Sequence, residues 1–164
     1  MSFTYQQSVG KYNKEAIPGD RANNQPAIYT PENLVTPADL GTAFAPVQVG
    51  GFAWKNANGQ AVGNGSGAPV GFAERVQNYQ YYDMTDEGTL VVPNGAAVEL
   101  AVKGDFFVQA DATTSAGATV YANTSNGAAT LTSGGSTVDT GFKTWNATLL
   151  RIRHNLFQFL HLHQ

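Results

Sequence analysis

Ala97-Val98-Glu99-Leu100-Ala101-Val102-Lys103-Gly104-Asp105-Phe106-Phe107-Val108 is the stretch that decides the fold. Val98, Leu100 and Val102 alternate with Ala97, Glu99 and Ala101, a period of two that sets the larger apolar groups on one side of an extended chain. One face of such a strand can be buried while the other carries smaller or polar groups. Lys103-Gly104-Asp105 interrupts the pattern, and residues 106–110 begin the next extended segment.

The same grammar runs outward in both directions. Upstream, residues 45–54 carry Val47, Val49, Phe52 and Trp54. Asn56-Ala57-Asn58-Gly59 comes next as a turn, because Asn and Gly accept positive φ at little cost. Gly63-Asn64-Gly65-Ser66-Gly67 reads as a loop, and residues 70–76 and 79–84 as strands. Residues 89–92 run into the turn signal Pro93-Asn94-Gly95. Downstream, 118–122 and 128–132 flank Ser125-Asn126-Gly127, and Leu150 and Ile152 alternate with Arg151 and Arg153 in a closing strand. Roughly eight to ten short strands, spaced about ten residues apart, predict an all-β fold, a compact β-sandwich or jelly-roll-like barrel. No segment combines helical period with helical length.

The two ends differ from this body. Residues 1–45 hold Pro18, Pro26, Pro31 and Pro37, which remove backbone donors and disfavour long ladders. Phe3, Tyr5, Tyr12, Ile17, Ile28, Tyr29 and Leu34 are scattered among them. This stretch reads as an irregular, Pro-rich N-terminal arm, residues 46–153 as the β-body, and 154–164 as a C-terminal tail. The tail has Leu156, Phe157, Phe159, Leu160 and Leu162 with His161 and His163, and its composition is foreign to the body.

Composition narrows the function. Charged residues make up 13% of the 164, about half of the ~25% of an average domain. A surface so poor in charge suits contact with other proteins, because little charge is desolvated on binding. Net charge is −3 and the isoelectric point about 5.5, so no basic field draws nucleic acid. Lys143, Arg151 and Arg153 give +3 from residue 143 onward; the six other cations face all twelve acids, leaving −6 on residues 1–142. There is no cysteine, which excludes disulfides, zinc–thiolate sites and thiol nucleophiles. Residues 1–11 lack the apolar run of a secretory leader, and no apolar stretch reaches the roughly 18 residues of a membrane span.

Catalytic chemistry finds little purchase. The glycine run 63–67 resembles a phosphate loop, but residues 70–76 beyond it read as strand rather than as a helix with an anion-binding N-terminus. No Gly-x-Ser-x-Gly elbow is present. All three histidines, His154, His161 and His163, fall in the last eleven residues, so a body general base is missing. Asp83, Asp86 and Glu87 lack calcium-loop spacing, and His161 with His163 supplies only two metal ligands. The expectation is a protein without enzymatic activity, metal or cofactor.

Several motifs now fall into order. Ala16-Ile17-Pro18-Gly19-Asp20, Gly51-Phe52-Ala53-Trp54 and Ala68-Pro69-Val70-Gly71-Phe72 form the first half. Pro93-Asn94-Gly95, Lys103-Gly104-Asp105-Phe106-Phe107-Val108 and Gly117-Ala118-Thr119-Val120-Tyr121-Ala122 form the second. In this order and spacing, over roughly residues 9–153, the chain resembles the structural cement, or capsid decoration, proteins of tailed bacteriophages. The tail after Arg153 departs from the pattern. The resemblance implies a β-module on the outer surface of the virion capsid, a homodimer or homotrimer that bridges major capsid protein subunits. Tyr12, Lys14, Ile17, Pro18, Gly19 and Asp20 in the arm are then the candidate capsid contacts. The competing expectation is a carbohydrate- or receptor-binding module of a tail fibre or spike, with Trp54, Tyr79, Tyr81 and Tyr82 as stacking rings.

Overall fold

The computed structural model describes residues 17–75, 90–109, 111–145 and 150–154. Within them the fold is all-β and antiparallel, as the alternation predicts. The strands are β1 (Ile28–Tyr29), β2 (Leu34–Val35), β3 (Phe52–Lys55), β4 (Ala61–Val62), β5 (Gly71–Ala73), β6 (Ala97–Val98), β7 (Leu100–Lys103), β8 (Asp105–Val108), β9 (Thr119–Asn123), β10 (Ala129–Thr130), β11 (Thr137–Thr144) and β12 (Leu150–His154). They build one sheet in the order β1-β7-β5-β3-β4, a second in the order β10-β9-β11-β12-β8, and the pair β2-β6. No helix among the described residues is long and apolar enough to cross a membrane.

The central strands of the first sheet are buried on both faces. Phe52, Trp54, Phe72 and Ala101 point toward the second sheet, where Phe106, Val108, Val120, Ala122 and Phe142 complete one core. Ala53, Ala73 and Leu100, their neighbours in sequence, join a second core with Leu34, Val47, Val49, Val92 and Val98. Strand alternation explains this division, since successive side chains leave opposite faces. Large rings fill the gap between the sheets. Alanines and valines fill the thinner layer beneath β2-β6. Ala101, which the sequence pattern put on the smaller, less buried face, is therefore wholly buried.

At the centre of the main core, Phe72 stands edge-on to Phe52 at 5.4 Å between centroids and tilts against Phe106 at 4.9 Å. Phe142 lies 6.4 Å from it and 5.7 Å from Phe52. These separations suit the attraction of ring edges to ring faces.

The chain passes between the sheets at Gly104. β7 belongs to the first sheet and β8 to the second, and Gly104 between them has φ +146°, a conformation that glycine adopts readily. The expected break at Lys103-Gly104-Asp105 is thus a corner of the sandwich. Residues 118–122, 128–132 and 150–153 correspond to β9, β10 and β12. Of the expected strand 89–92, residues 90–92 are described and form no ladder strand, although Val91 bridges Gln48. The expected strand 79–84 and the tail from residue 155 lie outside the described residues.

Of residues 17–45, only β1 and β2 are strands. Pro31 and Pro37 follow them closely, and each withholds a ladder donor. The stretch is nonetheless packed. β1 pairs with β7 and β2 with β6, and Leu34 sits in the second core.

Candidate functional site

Ile17-Pro18-Gly19-Asp20 is a β-turn. The Asp20 amide donates to the Ile17 carbonyl at 3.0 Å. Proline at the second position sets φ, and Gly19 at the third has φ +92°, the combination a type II turn demands. The Asp20 carboxylate accepts from the Ile17 amide at 3.2 Å and closes the turn.

This turn ties the two sheets together. The Gly19 amide donates to the Phe107 carbonyl at 2.8 Å, and the Gly19 carbonyl accepts from the Arg75 amide at 2.9 Å. Phe107 is in β8 of the second sheet, and Arg75 follows β5 of the first. The Phe107 amide donates to Asp20, the Ala22 amide donates to Asp105, and Arg21 bridges Phe106. Residues 19–22 therefore run as a strap along the free side of β8. The fit leaves no room for a side chain at Gly19, where a Cβ would meet Val49 Cγ1 at 2.8 Å and Arg75 Cβ at 3.0 Å.

Charges clasp the strap from the side. Arg21 Nε donates to Glu74 Oε1 at 2.7 Å, and the Tyr29 hydroxyl donates to Glu74 Oε2. An Arg21 Nη2 donor meets the Tyr29 hydroxyl, and the guanidinium carbon lies 5.8 Å from the ring centroid. Arg75 pairs with Asp20 at 3.2 Å, and Asn23 donates to Asp105 at 2.5 Å. Glu74 is only 8% exposed, so its charge depends on these partners, as buried charges do. The bond that Arg21 donates to Glu74 holds the guanidinium pKa above its ordinary value.

Burial, helped by the bond to Glu74, pushes the Tyr29 phenol up from 10.0 to about 12. The folded state thus favours the neutral phenol. Its contribution to stability is complete below pH 10 and is lost as pH rises toward about 12. An absorbance titration of tyrosinate is expected to contain a late step that is absent in Tyr29→Phe. Identical titrations of the two proteins, less one step near pH 10, would contradict the clasp.

Beside the turn is an open cleft of about 340 Å3. Pro18, Val49, Leu90, Gln109, Asp111 and Ala128 are among the residues that line it. Two of its apolar neighbours reach solvent: Leu90 is 39% exposed, and Ile17, next to Pro18, is 37% exposed.

Of the candidate contacts, the structure gathers Ile17, Pro18, Gly19 and Asp20 into this one turn. Ile17 is exposed, Gly19 is buried, and Pro18 and Asp20 are half-buried. Tyr12 and Lys14 lie outside the described residues. Arg21, Tyr29, Glu74 and Arg75, which hold the turn in place, were not singled out by the sequence. Arg21 follows the turn directly, but Arg75 stands 55 residues from Asp20 and Glu74 53 from Arg21, and only folding brings those two to it.

The residues weighed for other chemistry take structural places. Trp54 is 4% exposed, and its indole N–H donates to the Gly67 carbonyl at 2.9 Å. A Cβ at Gly65 would lie 2.4 Å from the Trp54 ring. The glycine run is the close cover of that ring, and Trp54 offers no platform to a sugar. Tyr79, Tyr81, Tyr82, Asp83, Asp86, Glu87, His161 and His163 lie outside the described residues. Among the described residues no cluster of three or more His, Cys, Asp or Glu is placed to hold a metal.

A family model described as structural cement protein (E217 gp24/Pam3 gp6) matches residues 5–153. Among solved structures, a chain of "The capsid of Myoviridae Phage XM1" is similar with a TM-score of 0.64 and 19% identity, covering 94% of this chain and 99% of that one. At such identity the likeness is one of fold. No curated protein matches the chain.

Proposed function

Since this chain belongs to the phage structural cement protein family, a structural component of the virion that associates with capsid proteins, we propose that it binds the outside of the head and stabilises contacts between major capsid protein subunits. It does so as a homodimer or homotrimer, with Tyr12, Lys14 and the Ile17–Asp20 turn on the contact side.

The observation that carries this reading is the anchored turn. A tether works when one end is fixed: attachment at one point raises the effective concentration of every further contact. The strap 19–22 is bonded to both sheets, so sixteen residues precede a rigid exit point at Ile17. The low charge of the chain supports the same reading, because modest contacts repeated over a shell need little desolvation of charge. Contacts available only on the expanded shell would stabilise that state by their differential affinity. No catalytic group is needed.

Deletion of residues 1–16 leaves the strap intact and tests the arm directly. Occupancy on shells that lack the protein, measured by co-sedimentation, is expected to fall roughly tenfold or more. Undiminished occupancy would sink the arm as a capsid contact.

A further inference from the structure

We propose that the cleft between Leu90 and Asp111 seats a lysine- or arginine-bearing, otherwise apolar segment of the protein to which this chain attaches. The inference rests on the capsid reading and specifies the partner's chemistry at one place. Pro18, Val49, Leu90 and Ala128 offer apolar surface, and Asp111 is the one charged residue among the described residues that line the cleft. Its carboxylate accepts from the Leu131 amide at 3.0 Å and from the Thr130 hydroxyl. Its own backbone amide also bonds to it; a carboxylate has about four acceptor directions, so about one remains for an incoming donor. Burial works to raise the pKa of Asp111, but the bonds from Thr130 and Leu131 outweigh it and hold the group below its usual range. It therefore stays ionised at neutral pH.

An ionised acid with no cation among the described lining residues is matched by a partner's cation. The apolar walls are matched by the methylene stem of that same side chain, since lysine and arginine bury their stems while the head seeks a polar partner. The amide of Gln48, which is exposed, can pair with the partner's backbone. A volume of about 340 Å3 takes one long side chain with its flanking backbone rather than a folded element. The cleft also adjoins Pro18 of the anchored turn, so a segment seated there continues the contact begun by the arm.

The test uses opposite charges at Gln109, which is exposed and whose replacement leaves both cores untouched. Gln109→Arg and Gln109→Glu are each titrated onto shells lacking the protein, at low and high salt, with thermal melts confirming the fold. Gln109→Arg is expected to bind roughly fivefold more weakly and Gln109→Glu more tightly, the difference shrinking at high salt. A folding defect would not produce opposite signs. Equal affinities, or shifts in the same direction, would overturn the cation-binding cleft while leaving the capsid reading in place. Failure of the unsubstituted protein to bind shells would overturn the capsid reading, and this inference with it.

Discussion

Phe72→Ala is expected to destabilise the protein by about 3–5 kcal/mol, the usual range for removing a large ring from a closed core. Phe72 is fully buried and touches three other rings, Phe52, Phe106 and Phe142. Two belong to the second sheet and one to the first, so its loss opens a void at the joint between the sheets. A relaxed core could close part of that void, but neighbouring rings anchored on β3, β8 and β11 have little freedom to do so. Denaturant unfolding gives the free energy, and a thermal melt should show a fall in Tm of roughly 6–20 °C for a chain of this length. Phe72→Leu keeps most of the volume and should cost about 1.5 kcal/mol or less. A loss below about 1 kcal/mol for Phe72→Ala would mean that the ring cluster is not the centre of the core.

Gly19→Ala carries the second large effect, with a different signature. The added Cβ meets Val49 and Arg75, and φ at +92° is costly for any L side chain. Backbone strain alone accounts for about 1–3 kcal/mol, and the clash adds to it because two of the three nearest atoms belong to Arg75 close to its backbone. Gly67→Ala is the control: φ is +73° there, but nothing lies within 4 Å of the new Cβ, so only the conformational cost of about 1–2 kcal/mol applies, with no clash added. Hydrogen exchange separates the two. In Gly19→Ala the amides of Gly19, Arg75 and Phe107, which bond across the strap, should lose protection before the interior of the sheets does. Unchanged protection there would show that the strap does not depend on glycine at this turn.

Much of the body was legible because strands announce themselves locally. The residues of β3, β5, β7, β8, β9, β10 and β12 were marked by alternation and turn chemistry. β11, the longest strand at eight residues, was not. Thr137-Val138-Asp139-Thr140-Gly141-Phe142-Lys143-Thr144 has a polar start and an internal glycine, both of which weaken a strand signal. It is a strand because β9 and β12 supply partners on either side. β1 and β2 were likewise hidden among prolines, and exist by pairing with β7 and β6.

The anchored turn was legible only in part. Pro18-Gly19 signals a turn wherever it occurs, and the turn is there. That its glycine bonds to both sheets depends on Phe107 and Arg75, distant positions whose arrival at one place requires the whole topology. Glu74 and Arg75 read as the polar end of a strand until Arg21, Tyr29 and Asp20 come to meet them.

The opening stretch shows where the line falls. From residue 97 to 108 the alternation, the break at Gly104 and the restart at Phe106 obey local rules: a period of two for extended chain, and glycine where φ turns positive. These rules suffice to specify an antiparallel β protein. They do not say which layer each face will meet. Leu100 and Ala101 enter different cores, and the strands on the two sides of Gly104 enter different sheets. Those assignments come from hydrogen bonds and packing between segments far apart in the chain, and such contacts have no signature within any short window of residues.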